Sequence, residues 1–131
     1  MRTIVHLGWV FLGGGIGSAL RYGVGRAALV MAGPNFPLGT LAVNLLGCTL
    51  MGALVAWLAW RDLGIDASMK LFLATGLLGG FTTFSAFALD AVTLWQRGEA
   101  LTAAAYAAGS VVLSIVGFLA GMALVRAFVA P

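Results

Sequence analysis

The chain has 131 residues, of which 62% are hydrophobic and 8% are charged, and its formal net charge is +3. This composition, with a mean hydropathy of +1.08, excludes an ordinary soluble domain. A helix crosses a hydrocarbon layer about 30 Å thick with about 20 apolar residues, so the length accommodates four spans. We therefore expect one all-α integral membrane domain over residues 1–131, with four transmembrane helices at about 5–31, 38–60, 70–96 and 100–129.

The first predicted span carries closely spaced small residues and a cation. Gly13 and Gly17 are four residues apart, and this spacing lets two helix backbones touch. The glycines do not form a nucleotide-binding loop, because no strand precedes them. Arg21 follows them, and a cation in such a span either extends to the interface or faces an aqueous vestibule that attracts anions. Since no cleavage site is recognisable, we expect this first helix to be retained.

The second predicted span carries a row of small polar side chains. Thr40, Asn44 and Cys48 are four residues apart and therefore share one helix face. Asn44 is then an amide within hydrocarbon, where it either bonds to a neighbouring helix or lines a polar path. Cys48 is the only cysteine, so it forms no intramolecular disulfide, and we expect it to pack as a small hydrophobic residue.

The third predicted span is interrupted by Gly79 and Gly80, which Thr82 and Thr83 follow closely. About eleven residues precede the glycines and about fifteen follow, which correspond to about 16 Å and 22 Å of helix. Neither part crosses a bilayer alone. We expect a helix broken near the membrane midplane, with main-chain groups available to an ion or to protein. The alternative is a glycine pair that only permits close packing.

Phe84 and Phe87 lie three residues apart after the interruption and share a helix face, with Thr83 and Ser85 beside them. The edge of an aromatic ring is positive, so rings presented edge-on attract a small anion without a fixed charge that would trap it. Two phenylalanines at this spacing also occur through ordinary packing.

The fourth predicted span carries four hydroxyl groups at successive four-residue steps: Thr102, Tyr106, Ser110 and Ser114. The row is about 18 Å long. Serine and threonine also bond to their own helix, but four hydroxyls in one row indicate a wetted or ion-facing stripe. Gly117 and Gly121 then predict a second close helix contact.

Basic residues are divided four to two between the two ends of the predicted bundle, and Arg21 is assigned to neither end. Four spans place Arg2, Arg61, Lys70 and Arg126 on one side, and Arg26 and Arg97 on the other. This difference is a weak bias under the positive-inside rule. The pattern is therefore compatible with insertion in both orientations and with pairing to an inverted copy.

Three stretches resemble the signature sequences of the Fluc/CrcB fluoride channels: Gly14 to Tyr22, Gly39 to Gly47 and Gly79 to Phe87. They follow the family order and cover essentially the whole chain. Two residues depart from the family pattern. Ala86 replaces the usual Thr and removes one hydroxyl from the pore wall, and Asp90 replaces the more usual Glu and shortens the acidic side chain.

The resemblance implies an antiparallel, dual-topology homodimer with two fluoride pores, each lined by both subunits. The implied pore residues are Asn44, Phe84, Phe87, Thr83, Ser85, Tyr106, Ser110 and Ser114, with Arg21 and Thr40 in the vestibule. The main-chain carbonyls of Gly79 and Thr82 from both chains would hold one structural Na⁺ at the dimer axis. The implied activity is passive export of F⁻ from the cytoplasm across the plasma (inner) membrane, which lowers fluoride toxicity.

Two other function classes stay open on the residues alone. A small dual-topology multidrug/proton antiporter has a similar length, but it needs an acid within the membrane. Here the first acid is Asp62, in a predicted loop. A non-transporting subunit of a larger complex would also use the glycine-rich faces. An enzyme is not expected, because the only histidine is His6 and no pair of nucleophile and base is visible.

Overall fold

The computed structural model describes residues 1–61 and 65–129, and the regular structure in these ranges is helical. The elements in chain order are α1 (Arg2–Ala32), α2 (Leu38–Arg61), α3 (Ala67–Lys70), a π-helical stretch (Leu71–Leu78), α4 (Gly79–Phe81), α5 (Phe84–Gln96) and α6 (Ala100–Val129). Asp62, the first acidic residue of the chain, which is predicted to lie in a loop, is outside the described residues together with Leu63 and Gly64.

Four regions are long and apolar enough to cross a membrane: Arg2–Ala32, Leu38–Trp60, Ala67–Gln96 and Ala100–Val129. The expectation of an all-helical chain with four long apolar helices is therefore confirmed. At most 22% of the most apolar window of any of these helices is buried within the chain. Most of this apolar surface is thus left to contact lipid or another protein.

Two glycines with positive φ mark the ends of long helices. Gly33 has a φ of 75°, and its N–H donates to the carbonyl of Leu29 at the end of α1. Gly98 has a φ of 81° in the turn between α5 and α6. Glycine adopts this left-handed backbone without a steric cost, so each helix stops where the chain must reverse.

Glycines form the close contacts between the helices. A Cβ on Gly13 or Gly17 would collide with the main chain of the third span, which packs on α1. A Cβ on Gly117 or Gly121 would collide with Thr49 of α2, which packs on α6. Both helix contacts predicted from small residues are therefore present, because only a hydrogen leaves room for the neighbouring backbone.

The third span leaves the helical conformation at Thr82 and Thr83, so the expectation that it divides at the glycines is wrong. Gly79 is helical, with φ −63° and ψ −39°, and Gly80 lies within α4. Thr82 has φ −82° and ψ 159°, and Thr83 has φ −154° and ψ 123°, so both are extended. The glycine at position 80 serves the contact with α1 instead, because a Cβ there would lie 2.6 Å from the carbonyl oxygen of Gly14.

We expect Gly17→Ala to destabilise the protein and Gly15→Ala to leave its stability unchanged or slightly higher. Alanine favours a helix equally at both positions, by up to about 1 kcal/mol. At Gly17 the added Cβ meets the main chain of Leu77 and Phe81, whereas at Gly15 nothing lies within 4 Å. Overpacking at Gly17 should cost about 1–3 kcal/mol. Thermal denaturation of the two purified variants in detergent measures the difference, and equal melting temperatures would contradict the contact.

Candidate functional site

The side-chain amide of Asn44 holds the extended backbone of Thr83. Asn44 Oδ1 accepts a hydrogen bond from the Thr83 N–H at 2.8 Å, and Asn44 Nδ2 donates to the Thr83 carbonyl at 2.9 Å. One side chain thereby pairs both main-chain groups of a residue that has left the helix, which is required where no water is present. An asparagine amide has two N–H donors, so one N–H is left for another acceptor.

The side chain of Thr83 begins the next helix. Thr83 Oγ1 accepts a hydrogen bond from the Ala86 N–H at 3.2 Å, which is the N-cap arrangement of α5. The Ser85 hydroxyl lies 3.3 Å from the same oxygen. The predicted polar residues Thr83 and Ser85 thus form one short chain of hydroxyls at the start of α5.

These two interactions change the partners of two carbonyl groups. In a continuous helix the N–H of Thr83 would donate to the Gly79 carbonyl, and the N–H of Ala86 would donate to the Thr82 carbonyl. Here they donate to the side chains of Asn44 and Thr83 instead. The carbonyls of Gly79 and Thr82 therefore lose the donors that a regular helix provides, and each has lone pairs available to another group.

Three cavities follow one another because they share lining residues. The inner cavity, about 280 Å³, is lined by Asn44, Cys48, Thr82, Thr83, Phe84, Phe87, Ser110 and Ser114, among others. The middle cavity, about 350 Å³, includes Phe36, Leu41, Thr102, Tyr106 and Ser110. The outer cavity, about 290 Å³, includes Asn35, Phe36, Thr40, Asp90 and Arg97. Ser110 is common to the inner and middle cavities, and Phe36 is common to the middle and outer cavities.

A row of aromatic rings follows the same course. The centroids of Phe84 and Phe87 are 5.3 Å apart, and those of Phe87 and Tyr106 are 5.5 Å apart. Phe36 then meets Tyr106 at 5.7 Å with perpendicular ring planes. The predicted phenylalanine pair is thus the inner end of a longer row. Phe36 lies in the turn before α2, and no periodicity in the sequence links it to α5 or α6.

The phenol of Tyr106 connects the middle cavity to the outer cavity. Its hydroxyl donates to Asp90 Oδ2 at 3.2 Å, while its ring is buried, with 3% exposed. Asp90 is a lining residue of the outer cavity. The hydrogen bond gives a partner to this carboxylate, for which the sequence supplied no role.

Ser110 carries an unpaired hydroxyl between the inner and middle cavities. The residue is 4% exposed, and among the described residues its Oγ is the one buried side-chain polar atom without a hydrogen-bond partner. A buried hydroxyl without a partner costs about 1–3 kcal/mol, so such groups are normally satisfied by water or a ligand. Ser110 is therefore available to a molecule or ion that enters these cavities.

The structure brings together most of the predicted site residues, although not all of them. The inner cavity gathers Asn44, Thr83, Phe84, Phe87, Ser110 and Ser114, the middle cavity adds Tyr106, and the outer cavity adds Thr40. Ser85 is exposed, Arg21 is half-buried on α1, and neither is a lining residue of these cavities. Phe36, Asp90 and Arg97 also line these cavities, although they were not among the predicted site residues.

A protein-family model described as "CrcB-like protein, Camphor Resistance (CrcB)" matches residues 8–122. The chain belongs to this family. The match confirms the resemblance that the three signature stretches carry.

Relatives of this CrcB-like protein have the printed name "Fluoride-specific ion channel FluC". The relative from Rhizobium etli is 52% identical over 92% of this chain and 95% of its own length. The relative from Paracoccus denitrificans is 55% identical over 89% of this chain and 91% of its own length. The relative from Agrobacterium fabrum is 51% identical over 94% of this chain and 98% of its own length. The similarity therefore extends over nearly the whole of each protein.

We expect Asn44→Ala to destabilise the start of α5, because both main-chain groups of Thr83 lose their partner. An unpaired buried polar group costs about 1–3 kcal/mol, so the loss of two should lower the melting temperature clearly. Thr93→Val is the matched control, since the Thr93 hydroxyl also bonds to a carbonyl of its own helix, that of Leu89 at 2.8 Å, and is exposed. Its effect should stay within about 0.5 kcal/mol. Equal thermal stability of the two variants in detergent would show that Asn44 does not hold Thr83.

Proposed function

We propose that this CrcB-like protein is a fluoride-selective passive channel that exports F⁻ from the cytoplasm across the plasma (inner) membrane and so lowers fluoride toxicity. The observation that carries the proposal is a connected series of uncharged hydrogen-bond donors and aromatic rings through the inner and middle cavities. The relatives named as fluoride-specific ion channels support the identity of the ion.

The chemistry of the cavities suits a small and strongly hydrated anion. Fluoride gives up water only where protein donors replace it, and the available donors are the second N–H of Asn44 and the hydroxyls of Ser110 and Ser114. The edges of Phe84 and Phe87 add a weak positive field. Within the described residues, neither the inner nor the middle cavity is lined by a lysine or arginine. A fixed cation would hold the anion too firmly for rapid passage.

A second copy of the chain, inserted in the opposite orientation, would complete this path. Phe84 is 77% exposed although it lines the inner cavity, so one wall of that cavity is open at the surface of the single chain. A second copy related by a two-fold axis would cover both inner cavities in the same way and produce two equivalent pores. The weak bias of the basic residues, four at one end and two at the other, is compatible with an antiparallel arrangement.

A structural Na⁺ between the two copies is the second part of this assembly. The carbonyls of Gly79 and Thr82 lack their helical donors because the Thr83 and Ala86 N–H groups are directed to side chains. Two such carbonyls from each of two chains make four oxygen ligands, a set that suits a hard cation. The cation would satisfy main-chain oxygens that have no water in a bilayer.

The alternative function, a multidrug/proton antiporter, has no support among the relatives, which are named as ion channels.

The proposal predicts that purified protein in liposomes releases fluoride rapidly and chloride at most very slowly. Phe84→Ile and Asn44→Asp should each reduce fluoride efflux at least tenfold, because they remove a ring edge or place a negative charge in the path. A fluoride electrode outside the vesicles measures the initial rate.

Phe72→Ile is the control for aromatic loss. Phe72 meets Trp9 at 5.9 Å in an edge arrangement and lines none of the three cavities. The fluoride efflux rate of the Phe72→Ile variant should stay within about twofold of the rate of the unaltered protein. Equal passage of chloride and fluoride by the unaltered protein would refute the proposed selectivity, and unchanged efflux in the two cavity variants would remove those residues from the path.

The proposed assembly predicts labelling of one residue from both sides of the membrane. In a Cys48→Ala chain, an impermeant maleimide should label about half of the Arg26→Cys chains in intact cells and the other half only after the membrane is permeabilised, because inverted copies place residue 26 at opposite faces. The purified particle should have twice the mass of one chain, and replacement of Na⁺ by N-methylglucamine should lower its melting temperature. Labelling from one side only would refute the antiparallel arrangement. An unchanged melting temperature after the replacement of Na⁺ would refute the proposed structural Na⁺ site.

A further inference from the structure

We propose that Arg97 makes the outer cavity an anion-collecting mouth by offsetting the negative charge of Asp90. The inference rests on the proposed channel function and adds to it a residue that governs how fast small monoanions reach the pore. It concerns Arg97, which was not among the predicted site residues.

The outer cavity lies where the helices end. It is lined by the last turns of α1, the turn at residues 33–37, the first residues of α2 and the second half of α5. Ends of membrane-spanning helices and the turns between them lie at the water boundary. An ion that moves from water toward the middle cavity, which shares Phe36 with the outer cavity, therefore passes through this space first.

Two charged residues line the outer cavity, Asp90 and Arg97, within the part of the chain that the structure describes. Asp90 lies on α5 and Arg97 is the C-cap of that helix, seven residues later. They therefore share a helix face and are separated by about 10.5 Å along its axis. Asp90 is half-buried and is bonded to Tyr106. Arg97 is exposed at the end of α5. An entering anion meets the guanidinium first and the carboxylate afterwards.

The order of these charges has a consequence for anion entry. A carboxylate alone in a narrow mouth repels fluoride, because a low-dielectric wall concentrates the field in the opening. A cation on the approach offsets this repulsion and raises the local concentration of anions. The range of both fields is set by salt, since the Debye length is about 30 Å at 0.01 M and about 3 Å at 1 M. The contribution of Arg97 should therefore be large in dilute salt and small in concentrated salt.

The neighbouring charges provide controls. Glu99 follows in the turn after α5 and Arg26 lies on α1; both are exposed, and neither lines the outer cavity. Arg26→Gln removes the same charge from the same end of the predicted bundle without altering the lining of the cavity. Asp90→Asn removes the carboxylate charge but keeps a carbonyl oxygen that can accept the hydrogen bond from Tyr106.

The test is the initial rate of fluoride efflux from liposomes at subsaturating fluoride, in about 0.01 M and about 1 M of an impermeant salt. Arg97→Gln should slow efflux about three- to tenfold in dilute salt and less than about twofold in concentrated salt. Arg97→Lys should keep most of the rate, because it preserves the charge. Arg26→Gln should not change the salt dependence. Adding Asp90→Asn to Arg97→Gln should recover most of the rate in dilute salt.

The outcomes separate this inference from the proposed function. If the unaltered protein releases no fluoride, the channel function fails. If it does release fluoride, equal slowing by Arg97→Gln at both salt concentrations shows a structural role of Arg97. This result overturns the proposal that Arg97 collects anions in the outer cavity. Equal slowing by Arg26→Gln and Arg97→Gln in dilute salt shows a general effect of surface charge and also overturns it.

Discussion

The paired hydrogen bonds between the Asn44 amide and the backbone of Thr83 are the interaction on which the rest of the site depends. A chain segment surrounded by hydrocarbon leaves the helical conformation only if its N–H and C=O groups find partners within the protein. Asn44 supplies one acceptor and one donor at 2.8 Å and 2.9 Å. Thr82 and Thr83 can therefore be extended between two helical parts of the third span, and α5 begins afresh with Thr83 as its cap.

This departure from the helix has effects in two directions. On one side it redirects the N–H groups of Thr83 and Ala86, so the carbonyls of Gly79 and Thr82 lose their usual donors. On the other side it sets the start of α5, which brings Phe87 to 5.5 Å from Tyr106 of α6. The proposed cation site and the proposed anion path are therefore two consequences of one local structure. They need no charged side chain in the inner cavity, because main-chain oxygens attract the cation and hydroxyls, amide and ring edges attract the anion.

The glycine contacts position these groups. Gly13, Gly17 and Gly80 let α1 and the third span approach at backbone distance, and Gly117 and Gly121 do the same for α6 and α2. Ser110 and Ser114 of α6 and Asn44 of α2 line the same inner cavity, and the Ser110 hydroxyl is left unpaired between two cavities. A buried hydroxyl without a partner is costly, and an ion in the proposed path would supply one.

The sequence by itself determined the class of the protein, because 62% hydrophobic residues in 131 positions allow little besides four apolar helices. Local spacing also predicted the glycine contacts, the row on α6 and the phenylalanine pair, since these depend on the helical period alone. The tertiary structure decided where the third span leaves the helix. The sequence placed this at the glycines, but the hydrogen bonds to Thr83 come from Asn44, which is 39 residues away. It also decided the membership of Phe36, Asp90 and Arg97 in the site, because they lie on elements whose relative position no periodicity specifies.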